Sequence, residues 1–85
     1  MKIKNITYVD MNETRTDGRY PLRIGSEVSF FISLNIGVSM VLSYIKDNNG
    51  NPKKGVLVTS AVKDIEETDT EIVVKTKNSI YYLEK

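Results

Sequence analysis

GVLVTSAVKDIEETDTEIVVKTKNSIYYLEK, residues 55–85, decides the fold. Val56, Leu57, Val58 and Val62 form one apolar run, Ile72, Val73 and Val74 a second, and Ile80, Tyr81, Tyr82 and Leu83 a third, with turn signals at Thr68-Asp69 and Asn78-Ser79. Short runs rich in β-branched and aromatic residues mark strands, because those side chains pack well on a pleated surface. The stretch predicts a three-stranded antiparallel meander. Val62 and Ile65 lie three apart, whereas inward residues of a regular strand lie an even number apart, so a bulge or sharp bend is expected near Lys63 and Asp64. A bent strand can serve two sheets at once. At the second turn Asn78 is expected to use its tolerance of positive φ.

Upstream, KDNNGNPKKG (46–55) is a connection, with Asn49-Gly50 the strongest turn dipeptide of the chain. Before it, SEVSFFISL (26–34) places Val28, Phe30 and Ile32 on one face, and VSMVLSYIK (38–46) places Met40, Leu42 and Tyr44 on one face, with a turn at Asn35–Gly37. These two runs predict a hairpin. KIKNITYV (2–9) reads as a first strand at an edge of the sheet, with Ile6 and Tyr8 sharing a face. DMNETRTDGRYPLRIG (10–25) has turn formers and no sustained period, so it reads as a long loop.

Five to six short antiparallel strands, one of them bent, and no 3.6-residue period predict an all-β fold, a small partly open barrel of the SH3-like or Sm-like kind. An OB-type barrel is the nearest rival, disfavoured because no helix is legible to plug its end. Residues 1–85 read as one domain, with Val28, Phe30, Leu42, Val58, Val62, Ile72, Val74 and Leu83 expected inside.

The chain holds no Cys and no His. That removes the disulfide framework, the commonest soft metal ligand and the commonest general base, so neither an enzyme nor a metal or cofactor site is expected. Neither a signal-peptide core nor an apolar run of about 20 residues is present, so a cytoplasmic protein without membrane contact is expected. The net charge is +1, but residues 1–63 carry nine basic and five acidic side chains (+4) and residues 64–85 three and six (−3). Five of the acids fall in DIEETDTE (64–71), read as a solvated hairpin tip whose charges discourage edge pairing.

Arg15, Arg19 and Arg23 recur every four residues, but Gly18 and Pro21 between them argue against a helical stripe. On a loop they can still converge, and guanidinium forks suit phosphate oxygens, with Tyr20 available to stack on a base. Lys53 and Lys54 lie between Gly50 and Gly55, without the spacing or following helix of a P-loop. These six residues are the candidate ligand- or partner-binding set. Phe30-Phe31 and Tyr81-Tyr82 are consecutive, so one member of each pair must face away from a single core. Such surplus apolar surface predicts a homo-oligomer with those four aromatics at its interface.

The pattern Thr59-Ser60, Val62, Ile65, Thr76, Asn78-Ser79, Tyr81 and Leu83 in the last third resembles short uncharacterised proteins of Gram-positive bacteria, their phages and mobile elements. That resemblance implies a context rather than an activity: a stand-alone product that binds and blocks a host component. The expected function is a non-catalytic binding protein that occupies a host protein or sequesters a small anionic ligand. The alternatives are a nucleic-acid-binding barrel, less favoured at this net charge, and an oligomeric nucleotide sponge. An Sm-type RNA ring is disfavoured by the missing amino-terminal helix.

Overall fold

The computed structural model describes residues 1–85. Its strands are β1 (Lys2–Tyr8), β2 (Glu27–Phe30), β3 (Ser39–Lys46), β4 (Val56–Glu67), β5 (Glu71–Thr76) and β6 (Ser79–Glu84), with one turn of helix, α1 (Tyr20–Arg23), between β1 and β2. All neighbours pair antiparallel in a single sheet, and the order β1-β2-β3-β4-β5-β6 closes in a ring as β6 meets β1. The all-β small barrel expected from the sequence is the fold. The ring is uneven: β1 aligns with β6 from Lys2↔Glu84 to Tyr8↔Ser79, whereas β1 and β2 share only Lys2↔Glu27. That seam is held by the Ile3 amide donating to the Ser26 carbonyl (2.9 Å) and the Val28 amide donating to the Met1 carbonyl (2.8 Å). β1 is therefore not the free edge that its sequence suggested.

β4 does what its broken phase requires. Between Val62 and Asp64 it carries one residue more than β5 does between Thr76 and Lys75, which puts the bulge at Lys63. A second bulge was not legible in the sequence: Val58 to Ala61 spans three steps against the two from Val41 to Ser39. There the Thr59 hydroxyl accepts the Met40 amide (3.0 Å) and donates to the Ser60 carbonyl (2.8 Å), filling the gap in the ladder. So bent, β4 pairs through its first half with β3 and through its second half with β5. β1 has a similar irregularity between Ile3 and Asn5, which lets Ile3 and Ile6 both face inward.

The core gathers Ile3, Ile6, Val28, Met40, Leu42 and Leu57 with Val62, Ile72, Val74, Tyr81 and Leu83. Of the residues expected inside, Val28, Leu42, Val62, Ile72, Val74 and Leu83 are buried, and Phe30 is half-buried against the core. Val58 is not inside: it is 59% exposed, and Leu57 and Thr59 occupy the inward positions instead. Three consecutive apolar residues, Val56-Leu57-Val58, leave the phase of a strand undetermined, and the register with β3 settles it.

Other expectations need correction. β2 ends at Phe30, so Ile32 lies beyond the strand and is exposed. Asn78 does not take positive φ, which only glycines do here. Its turn is braced instead by the Thr76 hydroxyl, which accepts the Ser79 amide (3.1 Å) and donates to the Ser79 carbonyl (3.0 Å). The long connection is not wholly a loop, because Pro21 sits in the first turn of α1, where its missing N–H costs nothing. Tyr20 and Ile24 then pack on the core. No helix is long and apolar enough to cross a membrane.

Candidate functional site

α1 and the start of β4 face each other across a cleft of about 320 Å³. Leu22, Val56 and Val58 supply its apolar walls, and Tyr44 and Leu57 reach it from the core side. Around them stand Arg19, which caps the start of the helix, Arg23, which ends it, and Lys53 and Lys54 from the β3–β4 connection. No carboxylate lines the cleft. The ion pairs of the protein are Lys4–Glu71, Arg15–Asp17 and Lys85–Glu67, so none of those four cations is held in a salt bridge.

Local chemistry explains how the two lysines arrive there. The Asp47 carboxylate accepts the amides of Asn49 and Asn51 (2.9 Å each), which holds its pKa below the ordinary carboxylate value. Gly50, at φ 82°, makes the reversal that an L side chain resists. The Lys53 amide donates to the Ile45 carbonyl (3.0 Å), and its ammonium lies 4.1 Å from the Tyr44 ring centroid. Opposite, the Arg23 guanidinium lies 4.9 Å from the Tyr20 centroid. Burial raises the Tyr44 hydroxyl pKa and pushes that of Tyr81 up to about 12, while nearby Arg23 favours the ionised form of both. Both phenols are thus neutral at ordinary pH.

The chain matches no family model, no curated protein and no solved structure.

Of the six candidate binding residues, Arg19, Arg23, Lys53 and Lys54 converge on the cleft. Arg15 does not join them. Its guanidinium forks onto Asp17 (2.6 and 3.0 Å) and donates to the Asn78 carbonyl (2.7 Å) and the Ser79 hydroxyl (3.0 Å). It also lies 4.0 Å from the Tyr20 ring centroid and 4.8 Å from that of Tyr8, so it ties the long connection to the β5–β6 turn. The Arg15 hydrogen bonds bring the Asp17 carboxyl from 3.8 down to about 2 and raise the arginine in turn. Tyr20, half-buried and stacked under two arginines, belongs to this brace rather than to the cleft surface.

The four interface candidates separate as well. Tyr81 is only 2% exposed and sits in the core, which withdraws it from any interface. Phe30 and Tyr82 are half-buried, and Phe31 is 64% exposed. Phe31 has apolar company, because its amide donates to the Val41 carbonyl (3.0 Å) and Val41 pairs with Val58 across the β3–β4 ladder. The acidic hairpin spends Glu67 on Lys85 and Glu71 on Lys4, and leaves Asp64, Glu66 and Asp69 in solvent. No cluster of three or more Asp and Glu side chains is placed to hold a metal ion.

Leu22, Tyr44, Gly55, Val56, Leu57 and Val58 are the cleft residues that the sequence did not single out as binding residues. Tyr44 was readable as inward-facing and Val56 to Val58 as doubly apolar, but nothing local announces that α1 lies opposite them.

Proposed function

We propose that the protein is a non-catalytic binding protein whose cleft between α1 and β4 holds an anionic group of its ligand or partner. One observation carries the reading: four cationic side chains from two distant segments line one cleft without a carboxylate among them. Like charges repel when gathered, so a site of this composition gains most from an anion, and arginine forks suit carboxylate or phosphate oxygens. A sequence without His or Cys is poor in the groups that acid–base or nucleophilic catalysis uses, which supports binding over turnover. In the phage or mobile-element setting that the resemblance implies, the protein acts by occupying a cytoplasmic host component. Nucleic-acid and nucleotide readings draw on the same cations but find no free aromatic ring in the cleft, since Tyr44 and the neighbouring Tyr20 already carry cations over their rings.

Isothermal titration with pyrophosphate at about 50 mM salt is the test, where charge-driven binding is least screened. The expected result is saturable binding that falls at least tenfold when Arg19, Arg23, Lys53 and Lys54 are all replaced by Gln. No binding by the native protein, or equal binding by the variant, overturns the reading.

A second reading concerns assembly. The row of exposed Phe31, half-buried Val41 and exposed Val58 is the observation that favours a homo-oligomer, with Phe30 and Tyr82 at most peripheral to it.

A further inference from the structure

We propose that the cleft receives an extended acidic segment of a partner protein, added as a strand to the open edge of β4 at Val56–Val58. The proposal rests on reading the cleft as an anion site and goes further by naming the occupant. It starts from the alternation of the β3–β4 ladder. The Tyr44 amide donates to the Gly55 carbonyl (3.0 Å), and the register sets Leu42 opposite Leu57 and Ser43 opposite Val56. An antiparallel ladder bonds every second residue, so Leu57 turns its amide and carbonyl towards β3 while Val56 and Val58 turn theirs the other way.

On that other side no strand is present. β5 begins to pair only at Val62, because β4 has bent by then. The β5–β6 turn reaches back no further than the Lys77 amide on the Ala61 carbonyl (3.0 Å) and the Asn78 amide on the Ser60 hydroxyl (3.1 Å). Two residues, two apart, therefore present an amide and a carbonyl each along the wall of the cleft. This is the repeat that an added strand pairs with, and main-chain bonds give such complexes their affinity while side-chain contacts give selectivity.

The occupant's chemistry follows from what flanks that edge. Leu22 (60% exposed), Val56 and Val58 offer apolar contacts, and Arg19, Arg23, Lys53 and Lys54 offer charge, so a segment alternating aliphatic and acidic side chains is complementary on both faces. A cleft of about 320 Å³ sits at the small end of the range for ligand sites, roughly 300 to 1,000 Å³, and so encloses a short piece of chain rather than a bulky ligand. A nucleotide would use the cations but would leave the backbone edge unpaired.

The probe is a fluorescein-labelled octapeptide alternating Val and Glu, followed by anisotropy with the unaltered protein. Two derivatives carry N-methyl groups on alternate backbone amides, one on the even positions and one on the odd, which removes the donors from one side of the strand only. Strand addition predicts that one derivative loses at least tenfold in affinity and the other stays within about threefold of the parent, because only one side of the peptide meets β4. If both derivatives bind alike, pairing with the edge is refuted and charge alone explains the binding. If the parent peptide does not bind while pyrophosphate does, the strand proposal falls and the anion site stands. If neither binds, both fall.

Discussion

Arg15 and Arg19 stand four residues apart in the sequence and end in opposite circumstances. Arg15 is spent on Asp17, Asn78 and Ser79, whereas Arg19 stands unpaired at the cleft. Replacing Arg15 by Gln should lower stability by about 1 kcal/mol or more, roughly 4 to 8 °C in Tm for a chain of this size. Arg19→Gln should leave Tm within about 1 °C, since an exposed charge contributes little. Thermal melts of the two variants check the division. The same contact has a pH signature: Asp17 is ionised more easily folded (about 2) than unfolded (3.8), so its stabilisation is full above about pH 4 and is lost as pH falls towards 2. The Tm gap between the native protein and Asp17→Asn should accordingly be constant from pH 5 to 7 and close on acidification; a gap that persists at pH 2 would refute the assignment. A four-residue spacing treated the arginines as equals. What divides them is the β5–β6 turn, more than sixty residues downstream, which no local pattern reveals.

At the scale of the element, β4 separates what a sequence can tell from what it cannot. The bulge at Lys63 was legible because Val62 and Ile65 are both apolar, so an odd spacing between them had to be absorbed. The one beside Thr59 was not, because an inward threonine has no hydropathy to betray its side. That hidden slip is also why Val58 was expected inside. Its outward position has a direct consequence: Val58→Asp should fold with a Tm within a few degrees of the native protein, since its side chain lies outside the core. Val62→Asp should not fold, because an unpaired interior charge costs several kcal/mol against a total of about 5 to 10. Circular dichroism of the pair is decisive. An unfolded Val58→Asp, or a native-like Val62→Asp, would show that the two faces are assigned wrongly.

For the whole molecule, the strand number to within one, the β2–β3 hairpin, the β4–β5–β6 meander and most of the core were readable, because alternation and turn chemistry act over a few residues, whereas the closure of β1 on β6 was not. The cleft was half readable: its cations were found, but their meeting depends on α1 lying against β4. Self-association belongs to this scale too, and sedimentation equilibrium at micromolar concentration should give a mass above 9.6 kDa that falls on dilution and with Phe31→Ser. A mass fixed at the monomer value would refute it. The way the ring closes also constrains how the chain is born. β1 takes nearly all its partners from β6, so at the usual 5 to 20 residues per second the ribosome needs roughly 4 to 14 s after finishing Tyr8 to deliver Ser79. The later hairpins can form as they emerge, but the first strand must wait for the last. For those seconds the nascent chain carries Ile3 and Ile6 without their lid, and a chaperone or a neighbouring polysome product has its best opportunity then.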